Sequence, residues 1–441
     1  LILFSTVSTY TTALLLGQPH SKSVKKLLLF GGIAVNLLLL FFFKYFNFTS
    51  NVLERLFLAA HINVHTPHID VLLPVGISFY TFQARAYMID IYRGGVIEKS
   101  FLRYALFVSF FPQLVAGPIE RSGNLLLQLR EPKAFDFNRA REGLLLMLWG
   151  FFLKIVLADR IAVLVDTVYA DYMKYEGLYI AVATILFSVQ IYCDFYGYSV
   201  IAKGSAKLLG IELMENFESP YFSLSVAEFW RRWHISLTSW FKDYVYIPLG
   251  GSRRGKIRKY CNKMAVFLIS GLWHGAKVSF VVWGGLNGLY QIMGEILLPV
   301  RQKLSKVFSV NTETLGHKLL CMIITYIFVD FSWLFFRAHS FKDALKMVTS
   351  LFTVSNWRIL FDGSLYTLGL NYKNFVLMGI CIFVLLFADF WKKRKVAISS
   401  IIAKQNLPCR CFIIAFSICF ILVFGIWGAG YDAASFIYFQ F

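Results

Sequence analysis

Charge is scarce in this chain, and acidic charge scarcest of all. Only 16% of its 441 residues are Asp, Glu, Lys or Arg, and 25 acidic side chains stand against 44 basic ones. A soluble domain carries about 25% charged residues, so an ordinary soluble protein and a disordered, charge-solvated one are both excluded. Ten prolines and thirty glycines without a period exclude a collagen. The seven cysteines lie mostly in or beside apolar runs, which excludes a disulfide scaffold. Cys409 and Cys411 are one residue apart with no second pair at zinc spacing, so no metal is expected there. No charged segment leads into a short apolar core and a small-residue cleavage site, so no signal peptide is read. The chain opens on Leu1 inside an apolar run. That start predicts that one or more spans precede it.

What is abundant is apolar and aromatic surface, at 58% and 18% of residues, with a formal charge of +19 and a mean hydropathy of +0.61. The basic residues punctuate apolar runs instead of covering a polar face, so nucleic acid is not an expected partner. The composition predicts an all-α, multi-pass membrane protein in contact with lipids. A helix needs about 20 apolar residues to cross the hydrocarbon. Runs meeting this are 27–48, 143–158, 178–200, 318–336, 375–391 and 411–430, with less regular ones at 1–16, 71–92, 101–118 and 264–298. The last is too long for one rod and predicts two embedded pieces bent near His274 and Gly275. Irregular backbone at membrane depth survives only inside protein or along a cavity. Basic clusters around Lys22, Lys25 and Lys26, at 253–263 and at Lys392–Lys395 are expected as cytoplasmic loops. That placement puts Phe441 outside. No repeat or soluble domain is visible, so residues 1–441 are read as one membrane domain.

Two of the eight histidines lie in informative places. His274, in Gly271-Leu272-Trp273-His274-Gly275, sits deep in an apolar run. An ionisable group there is costly and faces a cavity or a partner. The residues fit either a general base, which needs a neutral imidazole, or a core histidine in a glycine-rich packing seam. Gly271 and Gly275 leave room for a thin substrate or another backbone. His234 falls in a helical stripe with Trp230, Trp233, Leu237, Trp240 and Phe241. Arg231 and Arg232 point elsewhere, toward phosphates or lipid headgroups. An interfacial amphipathic helix explains the same pattern. His61, His65 and His68 are spaced four and three apart, but Pro67 breaks the face and no further ligand sits at matching spacing, so chance loop residues explain them. Gln190 and Asp194 share a helix face. They either line a polar channel or hold a basic side chain.

Several blocks taken together resemble the membrane-bound O-acyltransferase family, in its bacterial branch of alginate O-acetyltransferase-like membrane subunits. They are Pro74-Val75-Gly76-Ile77-Ser78-Phe79-Tyr80-Thr81-Phe82-Gln83, Phe111-Pro112-Gln113-Leu114-Val115-Ala116-Gly117-Pro118-Ile119 and Asp194-Phe195-Tyr196-Gly197-Tyr198-Ser199. Further on come Phe229-Trp230-Arg231-Arg232-Trp233-His234, then 243–251, then Gly271–Gly275, and the terminal 436–441 is also similar. Val200 stands where such proteins often carry Asp, so no role is placed on it. The resemblance implies a place in the cell (inner, cytoplasmic) membrane and a ring of tilted and re-entrant helices around a central funnel. It places the catalytic histidine on His274 and its partner on His234, with Arg231, Arg232, Trp273, Gln190 and Asp194 as substrate-binding candidates. It implies acetyl transfer from acetyl-CoA toward hydroxyls of an extracytoplasmic polysaccharide through an esterase-like partner protein, with no bound cofactor or metal. Transfer of D-alanine to teichoic acid by the same fold, and a transporter without covalent chemistry, are the alternatives. The absence of a Gly-x-Ser-x-Gly elbow argues against a serine nucleophile.

Overall fold

A computed structural model describes residues 1–69, 74, 76–114, 117–396, 401–402 and 404–427. The terminal block 436–441, the placement of Phe441, and Val75, Val115 and Ala116 lie outside the described residues. The described elements are all helical. In chain order they are α1 (Ile2–Leu16), α2 (Lys22–Ala59), α3 (Ile77–Tyr92), α4 (Phe101–Ser109), α5 (137–170), α6 (Leu178–Leu208), α7 (Val226–Arg232) and α8 (Ile235–Phe241). There follow α9 (Lys256–His274), α10 (Val278–Ile296), α11 (Leu298–Val307), α12 (Leu315–Arg337), α13 (Phe341–Thr353), α14 (Tyr372–Lys393) and α15 (Leu407–Phe424).

Helices start where a short polar side chain can cap them. Ser21, Ser100, Asp136, Ser225, Thr314, Ser340, Asn371 and Asn406 each accept from the backbone N–H three residues on. α2, α6, α12, α14 and α15 are long and apolar enough to cross a membrane, and the protein is membrane-integral. Two long helices carry a π turn inside them, Phe41–Tyr45 in α2 and Phe152–Ala158 in α5. Such turns mark strained or functional stretches.

Three expected boundaries move. Lys22, Lys25 and Lys26 lie in the first turns of α2, not in a loop ahead of it. The basic run at 253–263 is half helix, because α9 begins at Lys256. Lys392 and Lys393 close the last turn of α14. Positive charge there offsets the helix dipole, which is why the chain stays helical through these lysines. Both also reach back to the segment after α6: Lys392 Nζ donates to Phe217 O at 2.8 Å and Lys393 Nζ to Phe222 O at 3.0 Å.

α6 is the post of the molecule. The larger apolar core packs α5, α10, α12 and α14 around it. A second core joins α1, α3 and α4 to its far end through Ala202 and Ala206. α5 and α6 approach on bare backbone. A Cβ on Gly143 would stand 2.6 Å from Gly204 O, and one on Gly150 would stand 2.6 Å from Gly197 O. Small residues at such crossings are how membrane helices gain contact when lipid gives no hydrophobic drive.

Candidate functional site

His274 is the last residue of α9, and the bend expected beside it is real. Gly275 runs extended and α10 starts at Val278. The two helices pack as a hairpin because Gly271 brings backbone to backbone: a Cβ there would lie 2.3 Å from Phe280 O. Of the two uses expected for that glycine, close approach of another backbone is the one observed. The imidazole is buried in aromatic rings, with centroids 4.7 Å from Trp273, 5.0 Å from Trp283 and 5.2 Å from Phe336, all edge-on. Stopping α9 at this point leaves its last carbonyls needing donors. Tyr45 OH donates to Leu272 O at 2.9 Å, and Lys44 Nζ donates to Trp273 O at 2.8 Å and His274 O at 3.1 Å. Both donors come from the π turn of α2. A cavity of about 30 Å³ is lined by Lys44, Ser78, Phe79, Trp273 and His274. That is room for roughly one water.

His234 does not lie in a continuous helix. The expected stripe is cut between α7 and α8, and His234 takes a left-handed conformation at φ 42° in the break. A non-glycine residue there costs about 1–2 kcal/mol, so something must hold it. Asn216 does. Its Oδ1 accepts from His234 Nδ1 at 3.0 Å, Ser236 N at 3.3 Å and Ser236 Oγ at 2.9 Å, while its Nδ2 donates to Ser199 Oγ at 3.1 Å. Because Oδ1 must accept, Nδ1 carries the proton and Nε2 is left as the acceptor of the neutral ring. Both imidazoles touch the Trp273 ring, His234 at 6.1 Å, and they are close enough to interact electrostatically.

The block 194–199 on α6 builds the wall behind His234. Phe195 packs edge-on against its ring at 4.6 Å, Tyr196 OH accepts from Lys392 Nζ at 2.9 Å, and Ser199 anchors Asn216. Asp194 is committed to Lys154 Nζ at 2.7 Å, and that ammonium also meets Asp159 at 2.8 Å. Of the two expected uses of Asp194, holding a basic side chain is the one observed. Gln190 is buried one turn earlier. Arg232 is bound to Glu228 at 2.8 Å and donates to Glu218 O at 3.3 Å, whereas Arg231 is exposed. Of the expected substrate-binding residues only Trp273 lines the cavity at His274. A larger cavity of about 180 Å³ lies alongside, between Trp230, Leu237, Phe241 and Ser270, with Lys242 and Lys263 in its wall. His65 of the three spaced histidines pairs with Glu54 at 3.3 Å.

Sequence reasoning missed Lys44 and Asn216. A signal for Lys44 existed: it is a lone ammonium inside the apolar run 27–48, the same kind of clue that singled out His274. Asn216 gave none, since an Asn in a polar connector is ordinary.

Residues 98–336 match the model of the membrane-bound O-acyltransferase family. The chain is 32% identical to a probable alginate O-acetylase AlgI of Pseudomonas syringae, covering 88% of this chain and 73% of that protein. It is 34% identical to a peptidoglycan O-acetyltransferase of Helicobacter pylori, over 80% and 69% of the two chains. It is 26% identical to a teichoic acid D-alanyltransferase of Bacillus subtilis, over 70% and 78%.

Proposed function

The chain belongs to the membrane-bound O-acyltransferase family and is an acyltransferase, and on that premise we propose that it moves an acetyl group from cytoplasmic acetyl-CoA toward hydroxyls of an extracytoplasmic polysaccharide. In this reading it works in the inner membrane with a separate esterase-like partner that completes transfer outside. His274 is the general base.

The observation that carries the reading is the meeting of a buried histidine at a helix end with a small cavity walled by Trp273, Phe79, Ser78 and Lys44. An imidazole buried among aromatic rings favours its neutral form and is able to take a hydroxyl proton, a step worth about 10²–10⁴-fold in rate. His234, acceptor at Nε2, suits orienting that hydroxyl. The exposed Arg231 and the basic stretch at 253–263 draw the donor's phosphates to the cytoplasmic side. The acetyl group is favoured over D-alanine because the O-acetylating relatives reach 32–34% identity against 26%.

The test is complementation of a knockout strain with His274→Ala at matched membrane protein level. Loss of O-acyl esters from the envelope glycan is expected, and chromatography of the base-released acid identifies the group. Full esterification by His274→Ala removes the base assignment, and release of D-alanine in place of acetate replaces the donor.

A further inference from the structure

We propose that Lys44 is the oxyanion-stabilising residue of the reaction, its ammonium holding the developing negative charge of the acyl carbonyl beside His274. The proposal rests on the reading of His274 as base.

The placement of Lys44 is costly and specific. It stands within α2, a 38-residue apolar helix long enough to span the membrane. A charge inside such a segment is rare and usually functional. The π turn Phe41–Tyr45 presents it to the end of α9. Two of its three N–H donors are used on Trp273 O and His274 O. The third is left for the cavity that Lys44 lines together with His274. If capping α9 were the whole task, a neutral donor would do it, as the Tyr45 hydroxyl does for Leu272 O. The charge also offsets the dipole at the end of α9, as Lys392 and Lys393 do for α14, and sits 6.0 Å from the Trp273 ring centroid; what sets Lys44 apart from those lysines is that it lines the cavity shared with His274.

The reaction needs a charge at that cavity. His274 takes the acceptor's hydroxyl proton, the hydroxyl oxygen bonds to the thioester carbon, and the carbonyl π pair moves onto oxygen. As that pair returns, the carbon–sulfur bond breaks and the imidazolium hands its proton to the departing sulfur. Lys44 ends the cycle as it began. His234 cannot serve as donor to the oxyanion in the neutral tautomer, because its one N–H is given to Asn216. A cavity of about 30 Å³ has room for a single oxygen at the ammonium. In such a site a fixed donor acts strongly, with losses of about 10²–10³-fold when one is removed.

The test uses the full chain in the knockout strain, reading the initial rate of O-acyl ester formation on the envelope glycan at matched membrane protein level. Lys44→Met keeps the length and loses the charge. Lys44→Gln keeps N–H donors for the two carbonyls and loses the charge. Lys44→Arg keeps both. We expect Met and Gln to fall about 10²-fold and Arg to recover at least a tenth of the wild-type rate. A wild-type rate in Lys44→Gln reduces Lys44 to a helix cap and overturns the proposal, as does an Arg variant no better than Met. If Lys44→Met fails to accumulate, the Gln and Arg pair decides. His274→Ala runs in parallel: its full activity removes the base reading, whereas Lys44 stands or falls on its own variants.

Discussion

Asn216→Ala is the sharpest probe of how the second histidine is held. The side chain accepts three hydrogen bonds through Oδ1 and donates one through Nδ2, all buried. Each is worth about 0.5–1.5 kcal/mol net, so the four together hold about 2–6 kcal/mol of local order. The left-handed backbone of His234 (φ 42°) holds about 1–2 kcal/mol of strain, and with its anchor gone that strain favours relaxation of the break between α7 and α8. The bond to the imidazole alone, at about 1.4 kcal/mol, corresponds to about tenfold in the population of the oriented ring. We predict an ester-forming rate about 10- to 100-fold below wild type, with α6 and the rest of the core intact. Rates in the complemented knockout and thermal unfolding in detergent measure the two effects separately. Asn216→Asp keeps the acceptor for Nδ1–H and should retain more activity than Ala. An Asn216→Ala protein that transfers at the wild-type rate would refute the positioning of His234 and with it the assigned tautomer.

Three further outcomes follow from the packing. Lys154→Met removes the ammonium from the buried Asp194 and the half-buried Asp159 carboxylates and should cost about 3–5 kcal/mol; adding Asp194→Asn should restore part of it, and additive losses in thermal unfolding would contradict the pairing. Gly150→Leu drives side-chain atoms into Gly197 O, where even a Cβ comes within 2.6 Å. It should separate α5 from α6 and abolish accumulation, whereas normal yield and melting would refute the crossing. In the loop between α3 and α4, burial opposes ionisation of Glu98, yet Ser100 N–H at 3.0 Å and the Arg130 and Arg103 guanidiniums at 2.9 Å hold its carboxyl below the ordinary value. That stability is present above the unfolded pKa of about 4.3 and is lost as pH falls through the lower folded value. Glu98→Gln should therefore flatten the acid limb of melting temperature against pH, and an unchanged limb would show that Glu98 does not contribute.

Much of the site was readable before folding because membrane depth makes polar residues conspicuous. His274 stood out as one imidazole in an apolar run, and the bend at Gly275 followed from a run too long for one helix. Asp194 stood out for the same reason, though its pairing with Lys154 needed the π turn of α5, which leaves no mark in hydropathy. The stripe around His234 misled, because two short helices that each bury an aromatic face can keep the 3.6 spacing across the break between them. Trp230 and Trp233 pack on one core and Leu237 and Trp240 on another.

Composition and local pattern alone determined that this is an all-helical membrane protein, roughly where its long apolar helices lie, and which histidines were worth asking about. Those properties depend on neighbours within one or two turns, or on the free energy of moving a segment into hydrocarbon, and both are local quantities. The tertiary structure alone decided the company each histidine keeps. Lys44 and His274 are 230 residues apart, and His234 and Asn216 are 18 apart across a connector. Contacts of that kind arise only when helices stack, glycine against carbonyl, and no periodicity along the chain encodes which donor will meet which orphaned carbonyl.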